Sequence, residues 1–145
     1  MKRIEKYFLV IMLLGVAACG KRAGKSSTGD NDMQLQVSQI IDKSDAGEIS
    51  LKVRLIPSRR VAASVSKEDN LELQFSMDSC FYQMIGAKTK YPVIVQNVNN
   101  GQKGSYEYLV SFEPDKNKRD SLFFFYKDRF LDKKTYNVKI PLSDN

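Results

Sequence analysis

The chain has 145 residues, 23 Lys+Arg against 17 Asp+Glu, two cysteines and neither histidine nor tryptophan, for a net charge of +6. The missing histidine excludes a Ser-His-Asp triad, a Cys-His pair and a zinc hydrolase with imidazole ligands. The mild positive balance, with no basic stripe and no nucleic-acid-binding module, describes a solvated surface and no nucleic-acid partner.

Lys2, Arg3 and Lys6 precede an apolar run from Tyr7 to Ala18. A membrane-crossing helix needs about 20 residues, so the run is too short to span. It has the length of a secretory h-region, about 7–15 residues, with small residues at its end. The tetrapeptide Val16-Ala17-Ala18-Cys19 resembles the lipobox of bacterial lipoproteins. The resemblance implies a signal peptide over residues 1–18, a diacylglycerol on the Cys19 thiol, and Cys19 as the new N-terminus. Each buried methylene contributes about 0.8 kcal/mol, and two acyl chains are enough for stable anchoring. Gly20 stands where many inner-membrane lipoproteins carry Asp, which favours the outer membrane. Gly20-Lys21-Arg22-Ala23 is basic, unlike the acidic signal that takes some Bacteroidetes-type lipoproteins to the cell surface. The expectation is a lipid-anchored protein facing the periplasm.

Residues 20–32, "GKRAGKSSTGDND", hold no large apolar side chain. With little to offset the entropy of ordering, residues 19–32 read as the lipidated Cys and a flexible tether of up to about 45 Å. One domain follows over residues 33–145. "QLQVSQI" is a weak strand. In "EISLKVRLIP", Ile49, Leu51, Val53 and Leu55 share one face, a period of two that means a half-buried strand. "RRVAASV" is read as a weak strand, with Arg59 and Arg60 protecting a sheet edge. "LELQFSM" alternates at Leu71, Leu73, Phe75 and Met77. "YPVIVQNV" and "SYEYLVSFE" form a hairpin through "NNGQKG", since Asn and Gly tolerate positive φ. "PDKNKRD" turns the chain before "SLFFFYKDRF". In "TYNVKIPL", Tyr136, Val138, Ile140 and Leu142 line one face. The expected fold is all-β, an antiparallel β-sandwich, immunoglobulin-like or transthyretin-like, of seven or eight strands.

Motifs that carry chemistry are missing or broken. Ser64-Val65-Ser66-Lys67 matches the serine–lysine pattern of penicillin-binding enzymes, but Ser143-Asp144-Asn145 falls at the chain end and no Lys-Thr-Gly is present. Asp30 and Asp32 begin like a calcium loop, yet Leu35 stands where that loop needs Gly. Cys80 has no histidine to activate it and reads as a small buried apolar residue. The sequence predicts no catalytic residues, no metal, no cofactor and no small-molecule substrate.

"SLFFFYKD" departs from one-sided patterning. Leu122, Phe124 and Tyr126 form one face, and Phe123 and Phe125 occupy the other, where a solvated strand carries polar groups. The strand is either buried on both faces, or its outer face is an aromatic patch where a partner docks. Tyr106 and Tyr108, on what reads as the neighbouring strand, join Phe123 and Phe125 as the candidate partner interface.

Residues 78–113, "DSCFYQMIGAKTKYPVIVQNVNNGQKGSYEYLVSFE", resemble a stretch of the small lipoproteins in Bacteroidetes-type type VI secretion clusters. In other type VI systems a small outer-membrane lipoprotein with a two-sheet sandwich tethers the trans-envelope complex. The resemblance implies a non-catalytic tethering component that binds a periplasmic or membrane protein. A lipoprotein of a conjugation apparatus, or a periplasmic inhibitor or ligand-binding lipoprotein, are the alternative expectations.

Overall fold

The computed structural model describes residues 24–41, 48–114, 117 and 119–143. Strand β1 is Lys25–Gly29, β2 Met33–Ile40 and β3 Ile49–Pro57, followed by helices α1, Arg59–Ser64, and α2, Lys67–Phe75. The remaining strands are β4 Phe81–Ile85, β5 Lys88–Lys90, β6 Ile94–Asn97, β7 Tyr106–Phe112, β8 Ser121–Lys127 and β9 Thr135–Pro141. They form two antiparallel sheets, a five-stranded one ordered β1-β2-β3-β7-β6 and a four-stranded one ordered β5-β4-β8-β9. The all-β antiparallel sandwich is as expected, with nine strands among the described residues.

The core lies between the sheets and follows the period-two faces. Leu51, Val53 and Leu55 of β3 are fully buried, as are Phe124 and Tyr126 of β8 and Ile140 of β9. Aromatic rings bridge the layers. Phe81 packs against Tyr108 of the opposite sheet with centroids 5.3 Å apart, and Phe112 meets Phe124 edge-on at 6.4 Å. Such rings combine large buried area with geometries worth about 0.5–1.5 kcal/mol beyond it.

The antiparallel registers define two ends. Lys25, Ile40, Ile49 and Phe112 lie at one, here called the leader end, because β1 pairs Lys25 with Ser38 and β3 pairs Ile49 with Phe112. Gly29, Pro57 and Tyr106 lie at the other, where α1 and α2 follow β3. Sheet two has the same polarity, since Ser26 Oγ of β1 donates to the Lys139 carbonyl of β9 at 2.7 Å and Lys134 reaches Asp30.

Three expectations need correction. Residues 25–29, placed in the tether, are strand β1. Lys-Ser-Ser-Thr-Gly has no apolar periodicity because the strand is held by its backbone ladder to β2 and squeezed against β9. Small size is what the seam requires, since a Cβ on Gly24 would fall 1.8 Å from the Pro141 carbonyl oxygen. The five-stranded sheet therefore includes residues 25–29, ahead of the expected boundary at 33.

"RRVAASV" and "LELQFSM", read as strands, contribute to α1 and α2. Two serines cap them: Ser58 Oγ accepts the Val61 amide at 3.3 Å, and Ser66 Oγ the Asp69 amide at 2.9 Å. The apparent alternation from Leu71 to Met77 is deceptive. Of that set only Leu73, within the helix, and Met77, two residues past its end, are buried. Arg59 and Arg60 guard no sheet edge; they open α1, and Arg60 pairs with Asp32.

Candidate functional site

Alternation along β8 turns Leu122, Phe124 and Tyr126 into the core and Phe123 and Phe125 outward. On that outer face Phe125 stacks on Tyr82 of β4, rings 5.0 Å apart and 4° from parallel, and Tyr82 in turn meets Tyr91 at 6.1 Å. Phe123 stands beside Met84 in register, and Lys139 Nζ lies 5.6 Å from its ring centroid. Phe123 is 50% exposed and Tyr91 55%, whereas Phe125 is half-buried by its stack. The outer face is thus an open aromatic row, with no described segment covering Phe123. The other outward positions on β8 and β9 are Ser121, Lys127, Thr135, Asn137, Lys139 and Pro141, which include lysines and no acid. The outer face of the five-stranded sheet differs, with Gln34, Gln36, Ser38, Lys52, Arg54 and Glu107.

Tyr106 and Tyr108 do not join this row. The chain crosses from one sheet to the other after β7, so β7 and β8, neighbours in sequence, lie in different layers. Tyr108 is fully buried, and its hydroxyl donates to the Leu73 carbonyl of α2 at 2.6 Å. Burial pushes its phenol well above the ordinary value. Tyr106 reaches Asn70 of α2 with its hydroxyl at 3.4 Å, and burial raises its pKa too. Both tyrosines position α2. The aromatic neighbours that sequence reasoning missed are Tyr82 and Tyr91; Tyr82 alternates with buried Phe81 and Gln83, a signal hidden by the shortness of β4.

The ionisable groups meet in three places. At the helix end, Lys134 Nζ lies 2.7 Å from Asp30 and 3.0 Å from Asp32, and Arg60 also holds Asp32. The Lys134 hydrogen bond keeps Asp30 well below the usual carboxylate range. An ammonium fills the place a calcium loop would give to a cation, and among the described residues no cluster could hold a metal. Next, Asp128 accepts amides from Leu131 at 3.0 Å and Lys133 at 2.7 Å, together with the Tyr126 hydroxyl. Burial opposes its charge, but these donors outweigh burial and hold its pKa down. Lastly, an open hollow of about 400 Å³ on the five-stranded sheet contains Lys25, Lys52, Arg54 and Glu107. Glu107 is buried there, with Lys52 Nζ at 2.7 Å and Asn100 Nδ2 at 3.2 Å. Burial raises its pKa, and the Lys52 and Asn100 hydrogen bonds bring it below the ordinary value. A carboxylate held ionised by its cations is a sheet-face ion pair; proton transfer needs a group poised near neutrality.

Cys80 is fully buried, and burial pushes its thiol up to about 11, the opposite of activation. Cys19, the expected lipidation site, lies outside the described residues. Among those residues no helix is long and apolar enough to cross a membrane. No protein family, curated protein or solved structure matches this chain, so its role follows from its own chemistry.

Proposed function

We propose that this chain is a lipid-anchored, non-catalytic binding component of the bacterial envelope, held in the outer membrane through Cys19 and gripping a protein partner in the periplasm. The observation that carries the reading is the outward aromatic row of Tyr82, Tyr91, Phe123 and Phe125. Four rings on one sheet face, rimmed by Lys127 and Lys139, make a surface whose burial by a partner is favourable at about 25 cal/mol per Å² of apolar area. The basic start, short apolar run and Val16-Ala17-Ala18-Cys19 support the anchor. The resemblance of residues 78–113 to type VI lipoproteins, together with the two-sheet fold, supports a type VI secretion system as the machine being tethered.

The anchor would be short. Six residue steps separate Cys19 from Lys25, a reach of about 21 Å, half of what an unstructured segment to residue 32 allows. The test is photocrosslinking in intact cells with benzoylphenylalanine at position 123, combined with mass spectrometry of the mature N-terminus. The expected result is a diacylated Cys19 and an adduct with an envelope protein, lost in Phe125→Ser. An unacylated terminus, or a Phe123 probe that traps no protein, refutes the proposal.

A further inference from the structure

Helix α2 carries the most exposed large apolar side chain among the described residues: Phe75 is 77% exposed, and Leu71, one turn earlier, is 56% exposed. Residues four apart stand side by side on a helix, so the two make one apolar knob. The helix that bears them is not loose. Ser66 caps it, Leu73 is fully buried beneath it, and the Tyr108 hydroxyl holds the Leu73 carbonyl from the core. A rigidly held helix with its apolar pair turned to water has the form of a docking element.

The charges on the helix beside the knob are mostly acidic. Glu68 and Glu72 have no ion-pair partner among the described residues, and Asp69 and Asp78 add to them, against Lys67 alone on the helix.

We propose that Leu71 and Phe75 form a second docking element, which seats in an apolar pocket rimmed by lysine or arginine on a partner protein. The acidic surround selects that rim and disfavours an anionic lipid surface. A second copy of this chain offers a basic aromatic face at Phe123. Pairing between copies through that face is the competing occupancy, and an adduct with another copy is its signature. The docking element does not rest on the lipid anchor proposed above. With the aromatic row, it gives the protein two distinct grips.

The experiment places benzoylphenylalanine at position 75 of the full chain in its native cells, irradiates, and identifies the linked peptide. The expected adduct is with one protein, at a residue among apolar side chains bordered by Lys or Arg. Leu71→Ala, and Glu68→Lys with Glu72→Lys, each lower its yield about tenfold or more, and reversing the mapped basic residue restores the yield to the glutamate variant. The thermal midpoint and the adduct from position 123 stay unchanged. An adduct with lipid or with another copy, no protein adduct, or a yield indifferent to charge reversal overturns the proposal. A chain found unacylated defeats the anchor alone, and the same position-75 adduct from it still supports the docking element.

Discussion

Replacing Asp128 with asparagine tests how the loop between β8 and β9 is built. The carboxylate accepts amides from Phe130, Leu131, Asp132 and Lys133 as well as the Tyr126 hydroxyl, and Lys133 sits at φ 61°, a left-handed conformation that few side chains adopt unaided. Asparagine keeps the shape but offers one acceptor oxygen, so its amide group must face donors on one side. Either the Asp132 and Lys133 amides lose their acceptor, or the Phe130 amide does and the Tyr126 hydroxyl must turn to accept; the Leu131 amide, which reaches both oxygens, keeps one. Hydrogen bonds to a charged group contribute about 1.5–3 kcal/mol each, and water recovers part of that in a loop. The net loss is about 3 kcal/mol, or roughly 10 °C in midpoint for a domain of this size. The assay is urea and thermal unfolding followed by far-ultraviolet circular dichroism, since the chain has no tryptophan. The variant must also respond to pH. The folded carboxyl lies below its ordinary value, so its stabilisation is complete above the unfolded pKa near 4 and is lost as pH falls through the folded value. The wild-type midpoint should therefore fall more steeply than that of Asp128→Asn below about pH 4. A variant that melts within about 2 °C of wild type, with an equally steep acid limb, would show that the amides do not depend on this carboxylate.

Further outcomes follow from packing. Phe124→Ala should cost about 4 kcal/mol in urea unfolding and Phe123→Ala less than about 0.5, because one ring is fully buried and the other half-exposed; equal losses would contradict the assigned faces. Gly24→Ala should speed amide exchange across Ser26–Gly29, since the added Cβ displaces the chain from Pro141; protection as in wild type would remove the seam between β1 and β9. In the acylated chain Cys80 should react with a thiol reagent only on unfolding, and rapid labelling of the native protein would place it outside the core.

Most of the sandwich is legible in the sequence because a solvated antiparallel sheet writes its burial as alternation. The β3 and β9 faces can be read residue by residue, and the β6–β7 hairpin follows from its Asn and Gly turn, in which Gly101 and Gly104 do take positive φ. Alternation fails in three ways here. Strand β1 carries no apolar signal, because backbone bonds and close approach hold it. Leu71, Leu73 and Phe75 alternate by chance on a helix, and the warning was the Ser66-Lys67-Glu68-Asp69 capping pattern ahead of them. Sheet membership leaves no trace in periodicity. Tyr106 and Tyr108 therefore look like companions of Phe123, although a crossover puts them in the other layer. Of the candidate interface, the half on β8 was visible because two phenylalanines stand where polar residues belong. Tyr82 and Tyr91 come to it only through the pairing of β4 with β8.

Strand β1 runs from the leader end toward the helices, and its ladder to β2 spans all of Lys25–Gly29. A pull on residue 24 away from the domain acts along that strand, in shear. Every rung of the ladder then bears load together, whereas a perpendicular pull would peel the rungs apart in turn. Tension arriving from the N-terminal side is shared across the whole edge of the five-stranded sheet before any single bond fails.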